Sequence, residues 1–497
     1  MHIKLYFKLA IYTFSICLLA LFFSSCNDTK KAESGFVYIE GKDFKLNGKD
    51  FYPIILNYNA ILKADSTDLW ISPNLAYEDK DPYTKKAGNL RFKADMQMIK
   101  DLGFNTIRLV GVGEYKIENN IAEKWANTSD SSTKFVQFNG KSYEKYFDAL
   151  SDMFKTLDEV GLKVILLVNS FPDEYSVSEK HWATLLSRFK NEKALLAWDF
   201  FNEPLYFDTR DRKKENVYKI VRKWKKNRSK RDPNHLFTIG LTGTREVFEW
   251  DPNILDVDFL SIHPYEFHKG EVENEISWYG KYVKKPWIIG ETGFSADGDS
   301  VSYDVQKMYA EKFIQQAINC GASGFSWWQY KDVEWHTFQS NFLGLLSNKG
   351  TTKTSDKNFV VNGTVKPAGY LFKNINPNKK TGECSCGNNF YNYGNLNQFA
   401  VKGKLLDSNT GQPIVGGNVV VWNQYYGESS LTFTKADGSF VIYGNFKIYH
   451  FISSATLMSF YRADLDWEKV KIITENGVPT YDIGTIKLSP LQITTPY

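Results

Sequence analysis

Residues 195–204 read LLAWDFFNEP, an apolar run broken only by Asp199 that stops at Asn202-Glu203-Pro204. A run this continuous, without polar alternation, suits a strand buried on both faces, as parallel strands beneath helices are. Seven more runs of the same kind flank it: FYPIILN (51–57), FNTIRLV (104–110), KVILLVN (163–169), HLFTIGL (235–241), DFLSIH (258–263), PWIIGE (286–291) and SGFSWWQ (323–329). Amphipathic segments lie between them. RFKADMQMIKDLG (91–103), KYFDALSDMFKTLDEVG (145–161) and VQKMYAEKFIQQAINCG (305–321) each end on the glycine that often closes a helix. Eight strands alternating with helices predict an α/β fold, a (β/α)8 TIM barrel over residues 37–375. A doubly wound open sheet would want a Gly-rich phosphate loop after its first strand. LNYNAILKADS (56–66) has no glycine, which disfavours it.

The rest of the chain divides around this unit. Lys4 and Lys8 precede the apolar run LAIYTFSICLLALFF (9–23), and Ser24-Ser25-Cys26 follows. The run is too short for a comfortable membrane span and fits the core of a signal peptide. An ordinary signal peptide that happens to carry a cysteine is the plain alternative. The ordered succession of charge, apolar run, small residues and Cys favours a lipoprotein signal (1–25), with lipid on Cys26 and a polar tether (26–36). The expected location is the cell envelope, anchored to a bacterial outer membrane. Composition shifts near 376. NPNKKTGECSCGNNFYNYGNLNQ (376–398) reads as a linker, and short alternating runs from 399 to 497 predict a small all-β sandwich, with Asp437-Gly438 as a hairpin signal.

Charge and cysteine usage narrow the function class. Formal net charge is +4, or near +2 once Lys4 and Lys8 are removed, which gives no reason to expect nucleic acid. Cys320, Cys384 and Cys386 are too few and too scattered for a disulfide framework; Cys384 and Cys386 read as free thiols or a strained pair. The histidines show no HxH or HExxH spacing, so neither metal nor organic cofactor is expected.

Active sites of such barrels lie at the C-terminal ends of the strands. The runs place Arg108 near the end of the second, Asn169 at the third, Asn202 and Glu203 at the fourth, His263 and Tyr265 at the sixth and Glu291 at the seventh. Trp327 and Trp328 lie on the eighth. Apolar strands that twice end on a glutamate are hard to explain by solubility. Two carboxyl groups facing each other across a pocket are what glycoside hydrolysis needs, one protonated and one ionised. Arg108 is the cation to hold one ionised. Asn202 can bind a sugar hydroxyl, Tyr265 can donate to the nucleophile, and His263 can orient a carboxylate. An indole face of Trp327 or Trp328 suits a sugar ring, though adjacent side chains cannot both face the mouth.

FFNEP, IHPY, IIGETGF and GFSWWQY, in that order, resemble the retaining glycoside hydrolases of clan A, most of all glycoside hydrolase family 5, the cellulase and mannanase family. The resemblance covers most of 37–375. It implies that Glu203 is the acid/base, Glu291 the nucleophile, and Arg108, His263 and Tyr265 the family's supporting residues. Asn169 stands where members often carry histidine, and joins them as a substrate contact. VKGKLLDSNTGQPIVGGNVVV with TKADGSFVI resembles the carboxypeptidase regulatory-like β-sandwich family.

Loop aromatics bear on the substrate. Trp70, Tyr77 and Tyr83 lie in the long stretch 57–83, and Tyr115, Phe171, Tyr175, Tyr206, Phe207, Phe267 and Trp335 follow other strands. They suit a cleft for several sugar units, or loops that pack on one another. The leading expectation is an endo-acting retaining β-glycosidase on a polysaccharide or oligosaccharide such as β-glucan or β-mannan. The alternatives are a glycan-binding lipoprotein on an inactive scaffold, an exo-acting enzyme and a transglycosylase.

Overall fold

The computed structural model describes residues 34–74, 84–386 and 398–492, with short gaps at 119–120, 129–132, 138–140, 209, 211, 268, 336, 357, 423–428, 445–450, 456–460, 465–467 and 469. The expected signal peptide, Cys26 and most of the tether lie outside the described residues, as do Tyr77 and Tyr83. No helix among the described residues is long and apolar enough to cross a membrane.

Each of the eight apolar runs contains a strand: β1 (Ile54–Ala64), β2 (Thr106–Val110), β3 (Lys163–Leu167), β4 (Leu195–Asn202), β5 (Leu236–Leu241), β6 (Leu260–Ile262), β7 (Trp287–Ile289) and β8 (Phe325–Trp327). Neighbours pair in parallel from β1 through β7, and β8 pairs with β1. A parallel bridge between Ile288 and Gly324 joins β7 to β8, so the sheet closes into a barrel. Helices α1 (Lys85–Asp101), α2 (Lys141–Val160), α3 (Tyr175–Phe189), α4 (Lys214–Arg231), α5 (Glu271–Tyr282) and α6 (Tyr303–Asn319) cover it. After β5 there is only a 3-10 turn, Thr244–Phe248. The glycines after α1, α2 and α6 take positive φ (Gly103 96°, Gly161 78°, Gly321 79°), the conformation that ends a helix without a Cβ clash.

Inside the barrel, Ile55, Ile165, Ala197, Phe259 and Ile288 form an apolar floor, which Val37 and Phe44 of an N-terminal hairpin plug from below. Above the floor the pleat turns polar. Two residues on from Ile55 is Asn57, and two on from Ala197 is Asp199, both fully buried.

Three expectations are corrected. Residues 57–73 are not an open loop: β1 itself runs on to Ala64, and the chain returns antiparallel as Leu69–Pro73. Trp70 on that return is fully buried and close to Gly88 of α1, so it belongs to the core, not to a cleft. The cysteines also pair differently, because Cys384 is disulfide-bonded to Cys320 and Cys386 is free. The first part of the expected linker is docked on the end of α6. Thr381 donates its N–H to Asn319 at 3.0 Å, and Gln315 donates to the Lys379 carbonyl at 3.3 Å. Sequence spacing does not show that contact, since it arises only when α6 delivers Cys320 to it.

Among the described residues the C-terminal region has eight strands: β9 (Phe399–Asp407), β10 (Asn418–Trp422), β11 (Ser429–Phe433), β12 (Ser439–Gly444), β13 (Phe451–Ala455), β14 (Tyr461–Asp464), β15 (Lys471–Glu475) and β16 (Val478–Leu488). They form two four-stranded sheets, ordered β12-β9-β16-β15 and β11-β10-β13-β14. Phe399, Val401, Phe440 and Ile442 of one sheet share a core with Val419, Val421 and Ile452 of the other. Asp437-Gly438 does form a turn, but β11 and β12 lie in different sheets, so it carries the chain between sheets and closes no hairpin. The opposite side chains of β10 and β11, namely Val420, Trp422, Leu431 and Phe433, join the core of the barrel. The contact centres on α5. Trp278 donates its indole N–H to the Gly416 carbonyl at 2.9 Å and stacks on Phe433, with ring centroids 6.0 Å apart.

Candidate active site

Arg108 is the hub of the barrel mouth. It lies on β2 opposite Asn57 of β1 and Ile165 of β3, and it is 1% exposed. Its Nε donates to Asp199 at 2.8 Å, Nη2 to Asn202 Oδ1 at 2.7 Å, and Nη1 to Asn57 Oδ1 at 3.2 Å and to Glu291 Oε1. A buried guanidinium with four partners, on two other strands and just past the end of a third, is held in one orientation, because its fork of donors is rigid. Asn57 ties the far side together. Its Nδ2 lies within hydrogen-bond distance of the Gly290 carbonyl, Ser326 Oγ and the Trp327 carbonyl.

The end of β4 explains how Asn202 and Glu203 enter the mouth. Asp199 pairs with Thr238 of β5 and Asn202 with Gly240, so the register slips between them. Such a bulge re-aims the side chains that follow. Asn202 then meets Arg108, and its N–H is accepted by Asn169 Oδ1 at 3.0 Å. Glu203 adopts φ 47° and ψ 69°, a left-handed conformation that costs a side-chain-bearing residue about 1–3 kcal/mol. Its N–H donates to the Gly240 carbonyl at 2.8 Å, and Pro204 then opens a one-turn helix, Pro204–Phe207.

Two carboxyl groups face each other here in different surroundings. Glu291, after β7, is 6% exposed. It takes the Arg108 contact on Oε1 and a hydrogen bond from the Tyr265 hydroxyl on Oε2 at 3.0 Å. Burial and the neighbouring Glu203 push its pKa up, and Arg108 and the Tyr265 hydrogen bond oppose that. On the Glu203 carboxyl, His263 Nδ1 lies 2.9 Å from Oε1. Burial raises Glu203 to about 7, with Arg108 pulling the other way. His263 is pushed down to about 4 by burial, so it is neutral near pH 7, and its tautomer sets whether Nδ1 donates to Glu203 or accepts its proton. The two carboxyls therefore differ: Glu203 can hold a proton near neutral pH, while Glu291 carries the two donors, Arg108 and Tyr265, that favour its ionised form.

One ligand atom each from Glu203, His263 and Glu291 lies within 4.8 Å of the others, a spacing a metal ion could use. The Arg108 guanidinium already rests on Glu291, so a fixed positive charge opposes a cation there.

The structure brings Arg108, Asn202, Glu203, His263, Tyr265 and Glu291 together. Asn169 is beside them, with its Oδ1 committed to the Asn202 backbone. Trp327 is not available to a substrate: it is fully buried, packs on Tyr309 and Phe372, and donates to the Leu343 carbonyl. Trp328 is the partly exposed member, beside Trp335 at 6.4 Å. Among the loop aromatics Tyr115 and Tyr175 are buried, while Tyr206, Phe207 and Phe267 are more than half exposed. Tyr206, Tyr265 and Phe267, with Arg245 and Glu271, line a recess of about 260 Å³ open to solvent. Sequence reasoning missed Asn57, Asp199 and Glu246. A charge inside an apolar run was the signal for Asp199.

Residues 82–332 match the family described as Cellulase (glycosyl hydrolase family 5). Similar proteins include the mannan endo-1,4-beta-mannosidase 4 of Solanum lycopersicum, 23% identical over 65% of this chain and 90% of that protein. The putative mannan endo-1,4-beta-mannosidase 4 of Arabidopsis thaliana is 24% identical over 64% of this chain and 88% of that one. Among solved structures, the endo-1,4-beta-mannanase from Rhizomucor miehei is 15% identical over 62% of this chain and 93% of that chain, with a TM-score of 0.43. The beta-D-glucuronidase of Dictyoglomus thermophilum is 16% identical over 68% of this chain and 53% of that chain, with a TM-score of 0.44.

Proposed function

Since the chain belongs to glycosyl hydrolase family 5, the cellulase family of retaining clan A enzymes, we propose that it is an endo-acting β-glycanase with Glu203 as acid/base and Glu291 as nucleophile. β-1,4-Mannan is the favoured substrate over β-glucan, because both curated relatives above are named as mannan endo-mannosidases. The observation that carries the reading is the carboxyl pair. Oxygens of Glu203 and Glu291 lie within 4.8 Å of each other, and only Glu291 takes Arg108 and Tyr265. An inverting enzyme needs about 6.5–9.5 Å to seat a water between its carboxyls.

In this mechanism the Glu291 carboxylate attacks the anomeric carbon while the bond to the leaving oxygen breaks. Glu203 delivers its proton to that oxygen, and a glycosyl ester forms on Glu291. Glu203, now ionised, takes a proton from water as the water oxygen attacks the same carbon, and Glu291 leaves as carboxylate. Arg108 and Tyr265 stabilise the Glu291 charge at the start and end of the cycle. Asn202, fixed by Arg108 and Asn169, offers its amide to a sugar hydroxyl.

Reducing-end release from β-mannan, β-glucan and unrelated polysaccharides tests this, with Glu203→Gln and Glu291→Gln beside the wild type. Glu291→Gln should abolish release, and Glu203→Gln should lower it by about 10²–10⁴-fold. Full activity in Glu291→Gln, or binding of glycans without cleavage by the wild type, would overturn the assignment. We further propose envelope anchoring through lipid on Cys26, supported by the order of Lys4, Lys8, the apolar run and Ser24-Ser25-Cys26. Cys26→Ser should move the protein from the membrane to the soluble fraction; unchanged partitioning would remove the anchor.

A further inference from the structure

Glu246 lies on the 3-10 turn after β5 and is almost fully buried, 2% exposed. Its two oxygens are aimed at the backbone that shapes the mouth. Oε1 accepts the N–H of Leu205 at 2.6 Å, and Oε2 accepts the N–H of Thr242 at 2.7 Å. Leu205 is two residues past Glu203, and Thr242 directly follows β5, so one side chain staples the ends of two neighbouring strands. From this geometry we propose that Glu246 is a positioning residue for Glu203, fixing the left-handed turn that aims its carboxyl at the leaving oxygen. The proposal rests on Glu203 being the acid/base.

The turn at Glu203 is held at three points. Before it, the Gly240 carbonyl accepts the Glu203 N–H at 2.8 Å; after it, Glu246 holds Leu205; at the side-chain tip, His263 holds the carboxyl. A left-handed glutamate persists only where its surroundings over-determine it. Without Glu246 the peptide between Pro204 and Leu205 has lost its partner and the turn is free to relax. A shift of one ångström at the carboxyl is enough to cost proton transfer. The 3-10 turn is itself secured from α5. Glu275 accepts from the Thr244 N–H at 3.1 Å and its hydroxyl at 2.8 Å, and Arg245 pairs with Glu271 at 2.6 Å. Since α5 is also the seat of the C-terminal sandwich through Trp278, a continuous packed path runs from that domain to Glu203.

The test is the dependence of kcat/KM on the leaving group, in the full chain. Phenyl and 2,4-dinitrophenyl β-mannobiosides, or the cellobiosides if glucan is the polysaccharide cut, differ in their need for a proton. A residue that acts through the acid matters only for the phenyl substrate. Glu246→Ala should lower kcat/KM on the phenyl glycoside by about 10–100-fold and change the dinitrophenyl value by less than about 3-fold. Glu246→Gln keeps one acceptor and turns its amide hydrogens toward the other N–H, so it should show a smaller split of the same sign. It decides the matter if the alanine protein does not fold. Equal losses on both substrates, or no loss on either, overturn the proposal. Glu203→Gln is the control: if it shows no such split, the acid/base assignment fails instead.

Discussion

Burial drives Glu203 up to about 7, and Arg108, the cation that opposes the shift, is hydrogen-bonded to Glu291, Asp199, Asn57 and Asn202. The acid form of Glu203 is therefore lost as pH rises through about 7. On a substrate with a poor leaving group, kcat/KM should fall about tenfold per pH unit above that point. Glu203→Gln should lack this limb; a limb that survives the substitution assigns it to another group. The stability linkage has the same sign. The folded chain holds this proton more tightly than the unfolded chain does, so Glu203 contributes most below the ordinary carboxylate value and less as pH climbs to about 7. The residues of the site that were readable from sequence are those that end apolar runs, because a polar group there has no core role. Asp199 was not, since whether a residue inside a run points into the barrel depends on the pleat, and Asn57, although it closes the first run, lies mid-strand because β1 continues to Ala64. Glu246 reaches the site only through a turn whose path no local pattern encodes. Of Trp327 and Trp328, adjacent positions face opposite ways, and sequence does not say which faces the mouth.

At the scale of elements, the runs that became strands were legible because parallel strands buried on both faces have no polar side. β1 was read too short, since its extension beyond Asn57 also looks like polar loop: Asn59, Lys63 and Ser72 are buried there among apolar neighbours. The turn at Asp437-Gly438 was visible, but whether its flanking strands pair is a tertiary matter. α5 is where most depends on one helix, because its inner face carries Glu275 and Glu271 and its outer end carries Trp278. Trp278→Ala removes a fully buried indole, its hydrogen bond to Gly416 and its stack on Phe433. The expected destabilisation is about 3–5 kcal/mol. Urea denaturation followed by intrinsic fluorescence should show a lower midpoint; an unchanged midpoint would mean that the sandwich does not lean on α5.

Over the whole molecule, a closed barrel is plugged below by the N-terminal hairpin, carries its carboxyl pair above, and bears the sandwich on its flank. The two-domain plan could be read from the change in composition near 376, whereas the docking face could not. Val420, Trp422, Leu431 and Phe433 alternate along two strands as any sandwich residues would, and nothing local marks which face meets a barrel. The Cys320–Cys384 bond changes what that plan implies. Covalently, the sandwich hangs from residue 384 rather than from residue 376, with about fifteen peptide steps to the start of β9 and hence a reach of about 50 Å at most. A sandwich that came away from α5 would stay confined near it, at a local concentration on the order of millimolar. Re-docking is then a first-order event, indifferent to how dilute the protein is. Reducing the disulfide lengthens that tether and so lowers the local concentration.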